Sequence, residues 1–499
     1  MAAGHDPDAG DAPQAHGPAA ETYLRVLAEA ELRRALARPR HQPPGAGKVP
    51  RAIPAAAEGM DRVRAAAEAL NVIGMIEDTA AQRLLTEFTA ALAVRGMVPL
   101  RVLQGVPVAR WNQPRLPAPG LPGGVVQVVP VGRSLPGGRD SELLRLLTLT
   151  MAPGRAAALT IAGRVAPDRR LPRRELPIGP FGPYSLPDLG LTFTDDRGTR
   201  YQGEISGGGT CDGTWWALEL FFSPLPQPGI GWLDITAVTG PATIRVDMAG
   251  AASSVVQAGG PLTPPAADDA PAGLSGLPPA GTGPPGERLL DSIAENLLWS
   301  WLWHHGAGPE LRRLTAMAAA LAGTGAVQPG SPALNRYAAL SHRLGIPARD
   351  KTPATGAVAA ELPHAWSSVL ASRGTQDGRE DVIPVAAALP EINGARYALA
   401  GMYSSAGSAT LRALAWGWQP EDEPLNKAPF SWWARDNAGR WHVARQVWSD
   451  VRRDGAVLDI TLIPPLHPAA TSLQIILTGP SGRAAVMVPI PPASHPLTS

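Results

Sequence analysis

Charge, thiols and the smaller aromatic rings are scarce in this 499-residue chain. Charged side chains make up 17% of it and the net charge is +1, so it has no bulk electrostatic footprint for nucleic acid or an acidic membrane surface. Cys211 is the single cysteine, which excludes an intrachain disulfide and a thiolate metal cage. The first 20 residues carry Asp6, Asp8 and Asp11 and no apolar run, a pattern unlike a secretory signal. No stretch approaches the ~18–20 apolar residues of a membrane span, so the expected location is the cytoplasm. Phe and Tyr number 6 each against 14 Trp, which makes the Trp residues worth following.

Gly and Pro are plentiful, at 54 each, and imply long loops or linkers between compact parts. Hydrophobic residues at 44% are enough for sizeable cores, and the length predicts about three domains. The excess of Ala, Pro, Gly and Arg over Lys fits the coding bias of a GC-rich bacterial genome, which weakens any functional weight placed on Arg.

The sequence also repeats itself. Val129-Pro130-Val131 with Leu135-Pro136 recurs as Ile383-Pro384-Val385 with Leu389-Pro390 at identical internal spacing. Phe193, Asp196, Arg200 and Tyr201 line up with Trp433, Asp436, Arg440 and Trp441, and the same ungapped register pairs Glu219 with Asp459 and Pro224 with Pro464. Two similar units of about 110–125 residues are expected. The offset falls from 254 at their start to 240 near their end, which places about 14 extra residues of the first copy in Asp168–Gly190.

Residues 1–20 read as a disordered tail, and 21–97 as a helical region with a helix over Glu21–Arg38 and a helical hairpin at 61–96. Gly74 is expected to close the first helix of that hairpin and Asp78 to cap the second. Period-two patterning then predicts a β-sandwich over 98–250, with Asp195-Asp196-Arg197-Gly198 as a hairpin turn and 168–190 as an Arg/Pro-rich insertion. Residues 251–285 read as a Gly/Pro/Ala linker, 286–375 as a helical bundle, and 379–492 as a second sandwich. The expected fold is multidomain α+β with two duplicated, immunoglobulin-like antiparallel sandwiches; the Cys…Trp…Cys signature of true immunoglobulin domains is absent.

Motifs that carry chemistry fail on inspection. Gly45-Ala46-Gly47-Lys48 lacks the first Gly and the hydroxyl of a phosphate loop, since Gln42 and Val49 stand there. His304-His305 are adjacent, about 100° apart on a helix, and cannot readily chelate one ion. Glu219 and Asp459 alternate with inward-facing apolar neighbours, so both are expected to face outward as charges that block edge-strand association. No catalytic residue, metal ligand or cofactor is assigned.

The remaining candidates are surfaces. Arg169, Arg170, Arg173 and Arg174 lie on the insertion, where function often resides. Adjacent Trp pairs on a strand point to opposite faces, so one ring of each pair is expected outside or at a domain interface; Trp215 and Trp432, together with Trp448 and, from the helical block, Trp303, are the interaction-surface candidates. The sequence therefore predicts a non-enzymatic scaffold or protein-interaction protein with a protein partner, no specific nucleic acid and no membrane span. The alternatives are a carbohydrate- or small-molecule-binding module with hydrolase activity, or a structural subunit of a bacterial assembly.

Overall fold

A computed structural model of the chain describes residues 17–37, 54–95, 97, 126–136, 143–152, 156–164, 191–211, 215–227, 229–237, 242–248, 254–256, 276–279, 283–304, 308–346, 361–375, 377–392, 395–416, 431–452, 455–479 and 482–491. They fall into two compact units. One draws on residues within 1–114, 283–300 and 306–361, and the other on residues within 115–282, 301–305 and 362–499. Among the described residues no helix is long and apolar enough to cross a membrane.

The first unit is helical. It contains α1 (Gly17–Ala37), α2 (Pro54–Val72), α3 (Asp78–Val94), most of α4 (Pro285–Trp303), α5 (Pro309–Gly323) and α6 (Pro332–Arg343). Leu70, Leu84, Leu85, Phe88 and Leu92, spaced at helical intervals, pack with Leu24 and Val63 into its core. Two buried acids tie the helices together. Arg62 donates to both oxygens of Glu31, and Arg313 on α5 reaches Glu68 on α2 at 2.7 Å. The helices before and after the first sheet thus share one unit, rather than forming the separate regions read from the sequence. Ser331 caps α6 by accepting from the Leu334 amide, with Pro332 at the first helical position, as its pattern predicts. Asp78 does not cap α3: Glu77 holds that position and makes no side-chain cap bond. α1 begins at Gly17, inside the stretch 1–20 expected to be a disordered tail, and residues 1–16 lie outside the described residues.

The second unit is built on two large antiparallel sheets. The first comprises β1 (Val126–Pro136), β2 (Leu143–Ala152), β3 (Ala156–Arg164), β4 (Leu191–Asp195), β5 (Arg200–Cys211), β6 (Trp215–Ser223), β7 (Trp232–Ala237), β8 (Thr243–Asp247) and β9 (Ser254–Val256). The second comprises β10 (Asp381–Ile383), β11 (Ala387–Ile392), β12 (Ala395–Ser404), β13 (Ala409–Trp416), β14 (Ser431–Asp436), β15 (Trp441–Arg452), β16 (Gly455–Ile463), β17 (Ser472–Gly479) and β18 (Gly482–Pro489), with α7 (His364–Ala371) against β15. β9 falls inside the expected linker and pairs with β1.

The strand orders correspond. The first sheet runs β8-β7-β4-β5-β6-β3-β2-β1-β9 and the second β18-β17-β14-β15-β16-β13-β12, with β10 and β11 both on β12. Each is one continuous hydrogen-bonded path that curls on itself, a near-barrel, where the sequence pattern predicts two facing sheets. β11 lies against β18, and Gln127 on β1 donates to the Met248 carbonyl just beyond β8. The interiors are filled with apolar side chains, including Leu146, Leu149, Leu159, Phe193, Leu218 and Leu220 in the first. Tyr397, Leu399, Leu411, Trp432, Leu458 and Ile460 fill the second.

The registers locate the repeated anchors. Val129 pairs with Leu149 and Ile383 with Met402; Leu135 pairs with Leu144 and Leu389 with Tyr397. The hairpin needs one correction. Asp195 Oδ1 accepts from the Thr199 amide at 2.7 Å, and Asp436 Oδ1 accepts from the Arg440 amide at 2.8 Å. Asp195, and not Asp196, is therefore the counterpart of Asp436. An ungapped register misses this because the β5–β6 turn is one residue longer: Cys211 pairs with Trp215, whereas Arg452 pairs with Gly455. Gly198 and Gly439 close the two turns at φ of +78° and +86°, a region that disfavours side chains.

Candidate functional site

β2 and β3 are apolar on both faces because both faces are covered. One face lines the interior of the first near-barrel, and the other meets the second sheet through β12. Val128, Ala158, Ala398, Leu414 and Val457 pack together across that contact, as do Leu147, Ala162, Ala217, Val382 and Tyr403. Leu147 comes so close to β12 that a Cβ at Gly401 would sit 2.8 Å from its Cδ1. Polar bonds also cross the contact: Thr148 donates to the Val385 carbonyl at 3.1 Å, and Arg145 to the Val382 carbonyl at 3.3 Å.

A cluster of ionisable groups sits between these apolar patches. Thr160 on β3 is registered opposite Glu219 on β6, and Arg412 on β13 opposite Asp459 on β16. Arg412 Nε donates to Glu219 Oε1 at 2.6 Å, and its Nη1 donates to the Ala217 carbonyl at 3.1 Å. The same Nη1 lies 3.4 Å from Asp459 Oδ1, which also accepts from the Tyr403 hydroxyl at 2.9 Å. Arg412 and Glu219 are both 0% exposed.

The expectation that Glu219 and Asp459 face solvent on edge strands is therefore overturned. Each points away from its own barrel interior, as alternation requires, but its strand is central in the sheet and its outer face is covered by the other sheet. Alternation tells inside from outside of one sheet; it carries no information about what lies outside. Arg412, Tyr403 and Thr160 were not singled out from sequence, although a lone Arg within Ala409-Thr410-Leu411-Arg412-Ala413-Leu414 is a legible signal for a paired buried cation.

Burial controls the electrostatics. It pushes the Glu219 carboxyl up to about 7, against the pull of Arg412, with Asp459 adding to the rise. Burial also raises Asp459, opposed by Arg412 and by the Tyr403 hydrogen bond. For Arg412 burial works the other way, but the two acids outweigh it and hold the guanidinium charged.

A second polar pair sits at the β4–β5 hairpin of the first sheet and at the β14–β15 hairpin of the second. The Tyr201 hydroxyl donates to Asp195 Oδ2 at 2.6 Å. In the second sheet His442 takes this place: its Nε2 is 3.6 Å from Asp436 Oδ2, and its Nδ1 donates to the Pro464 carbonyl at 2.8 Å. Burial opposes ionisation of Asp195, yet Tyr201 and the amides of Thr199 and Arg197 hold it below the usual carboxylate range. Asp436 is likewise lowered, with burial outweighed by His442 and the Arg440 amide. Tyr201 is pushed up to about 12 by burial and by Asp195.

The surface candidates fare differently from one another. Arg169, Arg170, Arg173 and Arg174 lie outside the described residues. Trp215 and Trp448 occupy β6 and β15, in register with Cys211 and Asp459. Trp303 ends α4 half-buried. Trp432 is 4% exposed and stacks edge-on against Tyr397 in the second barrel interior. Its neighbour Trp433, on the opposite face, is buried edge-on against Trp441. Both faces of β14 are covered, so this Trp pair offers no outward ring. Among the described residues no group of three His, Cys, Asp or Glu side chains is arranged to hold a metal ion.

No protein-family model matches the chain, and no curated protein matches it. Among solved structures it is similar to the conserved domain protein from Bacillus anthracis, with 7% sequence identity, 72% of this chain and 89% of that chain covered, and a TM-score of 0.16. A likeness of that size assigns the chain to no family.

Proposed function

We propose that the chain is a non-enzymatic scaffold or protein-interaction protein whose second unit is a duplicated β module, its two copies locked face to face by the Glu219–Arg412–Asp459 cluster. The observation that carries this reading is the sealing of that cluster. Its ionisable groups face one another across the two sheets and are buried from solvent, an arrangement suited to fixing registry between surfaces. Matching strand order and matching registers at Val129/Ile383 and Leu135/Leu389 support the duplication. The Arg169–Pro187 stretch, where the extra residues of the first copy fall, is the proposed partner-binding segment.

The test is affinity capture on the full chain and on a chain lacking residues 169–187, followed by reconstitution from purified components. A stoichiometric complex that forms with the first and not with the second is the expected result. A folded bait that captures nothing reproducible overturns the reading. A Trp fluorescence response to sugars would instead favour the carbohydrate-binding alternative, and a defined high oligomer by light scattering the assembly-subunit alternative.

A further inference from the structure

We propose that the cluster between the sheets is a proton-operated latch: one proton resident on Glu219 Oε2 and shared with Thr160 Oγ1 lets the sheets close, and its release weakens their contact. The inference rests on the reading of this cluster as the lock between the two copies, and adds to it how the lock is regulated.

Charge count comes first. One guanidinium faces two carboxyl groups, and all three are buried. Fully ionised, the cluster would carry one uncompensated negative charge in a buried contact, which is costly. Binding one proton removes that charge.

Geometry then selects the acid. Asp459 Oδ1 accepts from Tyr403 and lies within ion-pair distance of Arg412, contacts suited to an ionised carboxylate. Glu219 commits only Oε1 to Arg412. Its Oε2 is buried with no hydrogen-bond partner, and so is Thr160 Oγ1 on the strand beside it. The Thr160 hydroxyl can accept from a protonated Oε2 or donate to an ionised one; the second contact pulls Glu219 downward, and burial together with the Asp459 charge outweighs it.

The charged and titratable groups facing Glu219 are Arg412 from β13 and Asp459 from β16, with Tyr403 from β12 behind Asp459; β3 presents Thr160. On β2, Arg145 is engaged with Asp381 at 3.5 Å. The sign follows from a folded value of about 7 against an ordinary 4.5. Between these values the folded state holds more protons than the unfolded chain, so stability falls as pH rises across the window and levels off above it.

The experiment is thermal unfolding of the full chain between about pH 4 and about pH 8.5, a range bracketing that loss, for the wild type and Glu219→Gln. The wild-type midpoint of the β unit is expected to drop by several degrees, while the amide, a permanent mimic of the protonated acid, flattens the drop. Parallel curves for the two proteins overturn the latch. Should the variant fail to fold, infrared spectra of wild-type protein carrying ¹³C-carboxyl glutamate decide the matter. A label-shifted protonated carboxyl band present at the acid end and lost at the alkaline end supports the latch, and its absence at the acid end overturns it. Hydrogen exchange in Arg412→Met separates the two ideas. Unchanged protection of β6 and β13 sinks the lock itself, whereas loosened strands with parallel pH curves sink only the latch.

Discussion

The two near-barrels share a strand order but fill their matching polar positions differently. At the β4–β5 hairpin Tyr201 serves Asp195 in the first, and at the β14–β15 hairpin His442 serves Asp436 in the second. At the mutual contact the first sheet offers Thr160 beside Glu219, where the second offers Arg412 beside Asp459. Two surfaces each presenting only an acid would repel; with Arg supplied by one side alone, they complement each other. What the comparison teaches is that similar frameworks can pair specifically once a single position on one of them differs in charge.

The largest test of that comparison is Arg412→Met. It leaves two acids buried without their cation, and should destabilise the β unit by ~3–5 kcal/mol, read by urea unfolding with the helical unit followed separately by hydrogen exchange. Adding Glu219→Leu and Asp459→Leu to it should recover most of the loss, because an apolar contact of similar volume needs no charge balance. A triple variant as unstable as the single one would show that the charges contribute more than registry.

Next are the two hairpins. Tyr201→Phe removes a hydrogen bond to a buried carboxylate and should cost about 1.5–3 kcal/mol, confined to the first sheet. If the second sheet loosens equally, the two barrels do not behave as separate frames. In acid the same pairs predict a shared weakness. Asp195 and Asp436 are held below their ordinary value of 3.8, so their contribution is present above it and lost as pH falls through the lower folded values. Asp195→Asn should remove the acid dependence from the first hairpin alone, seen in the exchange of the Thr199 amide. The smallest expected effect is Thr148→Val, which deletes one hydroxyl bond across the contact and should cost about 1 kcal/mol.

Legibility followed solvent exposure. β4, β5, β7 and β8 were found from alternation, and the hairpin at Asp195–Gly198 from its turn residues. β2 and β3 were not found, because Leu146 to Thr150 and Ala157 to Ala162 are buried on both faces and do not alternate. Glu219 and Asp459 stand out through the recurrence of their flanking pattern, but their partner Arg412 lies 193 residues from Glu219, and in the first sheet Thr160 stands opposite the acid instead. Period two places Trp432 and Trp433 on opposite faces of β14 and predicts one of them outside or at an interface; both are buried, since covering by neighbouring elements is not a local property.

The sequence by itself determined the helices, the Asp195–Gly198 hairpin and several strands of the first sheet, because backbone propensity, turn chemistry and period act over a few residues. Tertiary structure alone decided that α5 packs on α2 and that each strand set curls into one near-barrel. It alone also decided that the outward acids of both sheets meet one guanidinium. Those outcomes depend on which surfaces become buried together, and the free energy of a buried charge is set by groups far away in the chain but within a few ångströms in space.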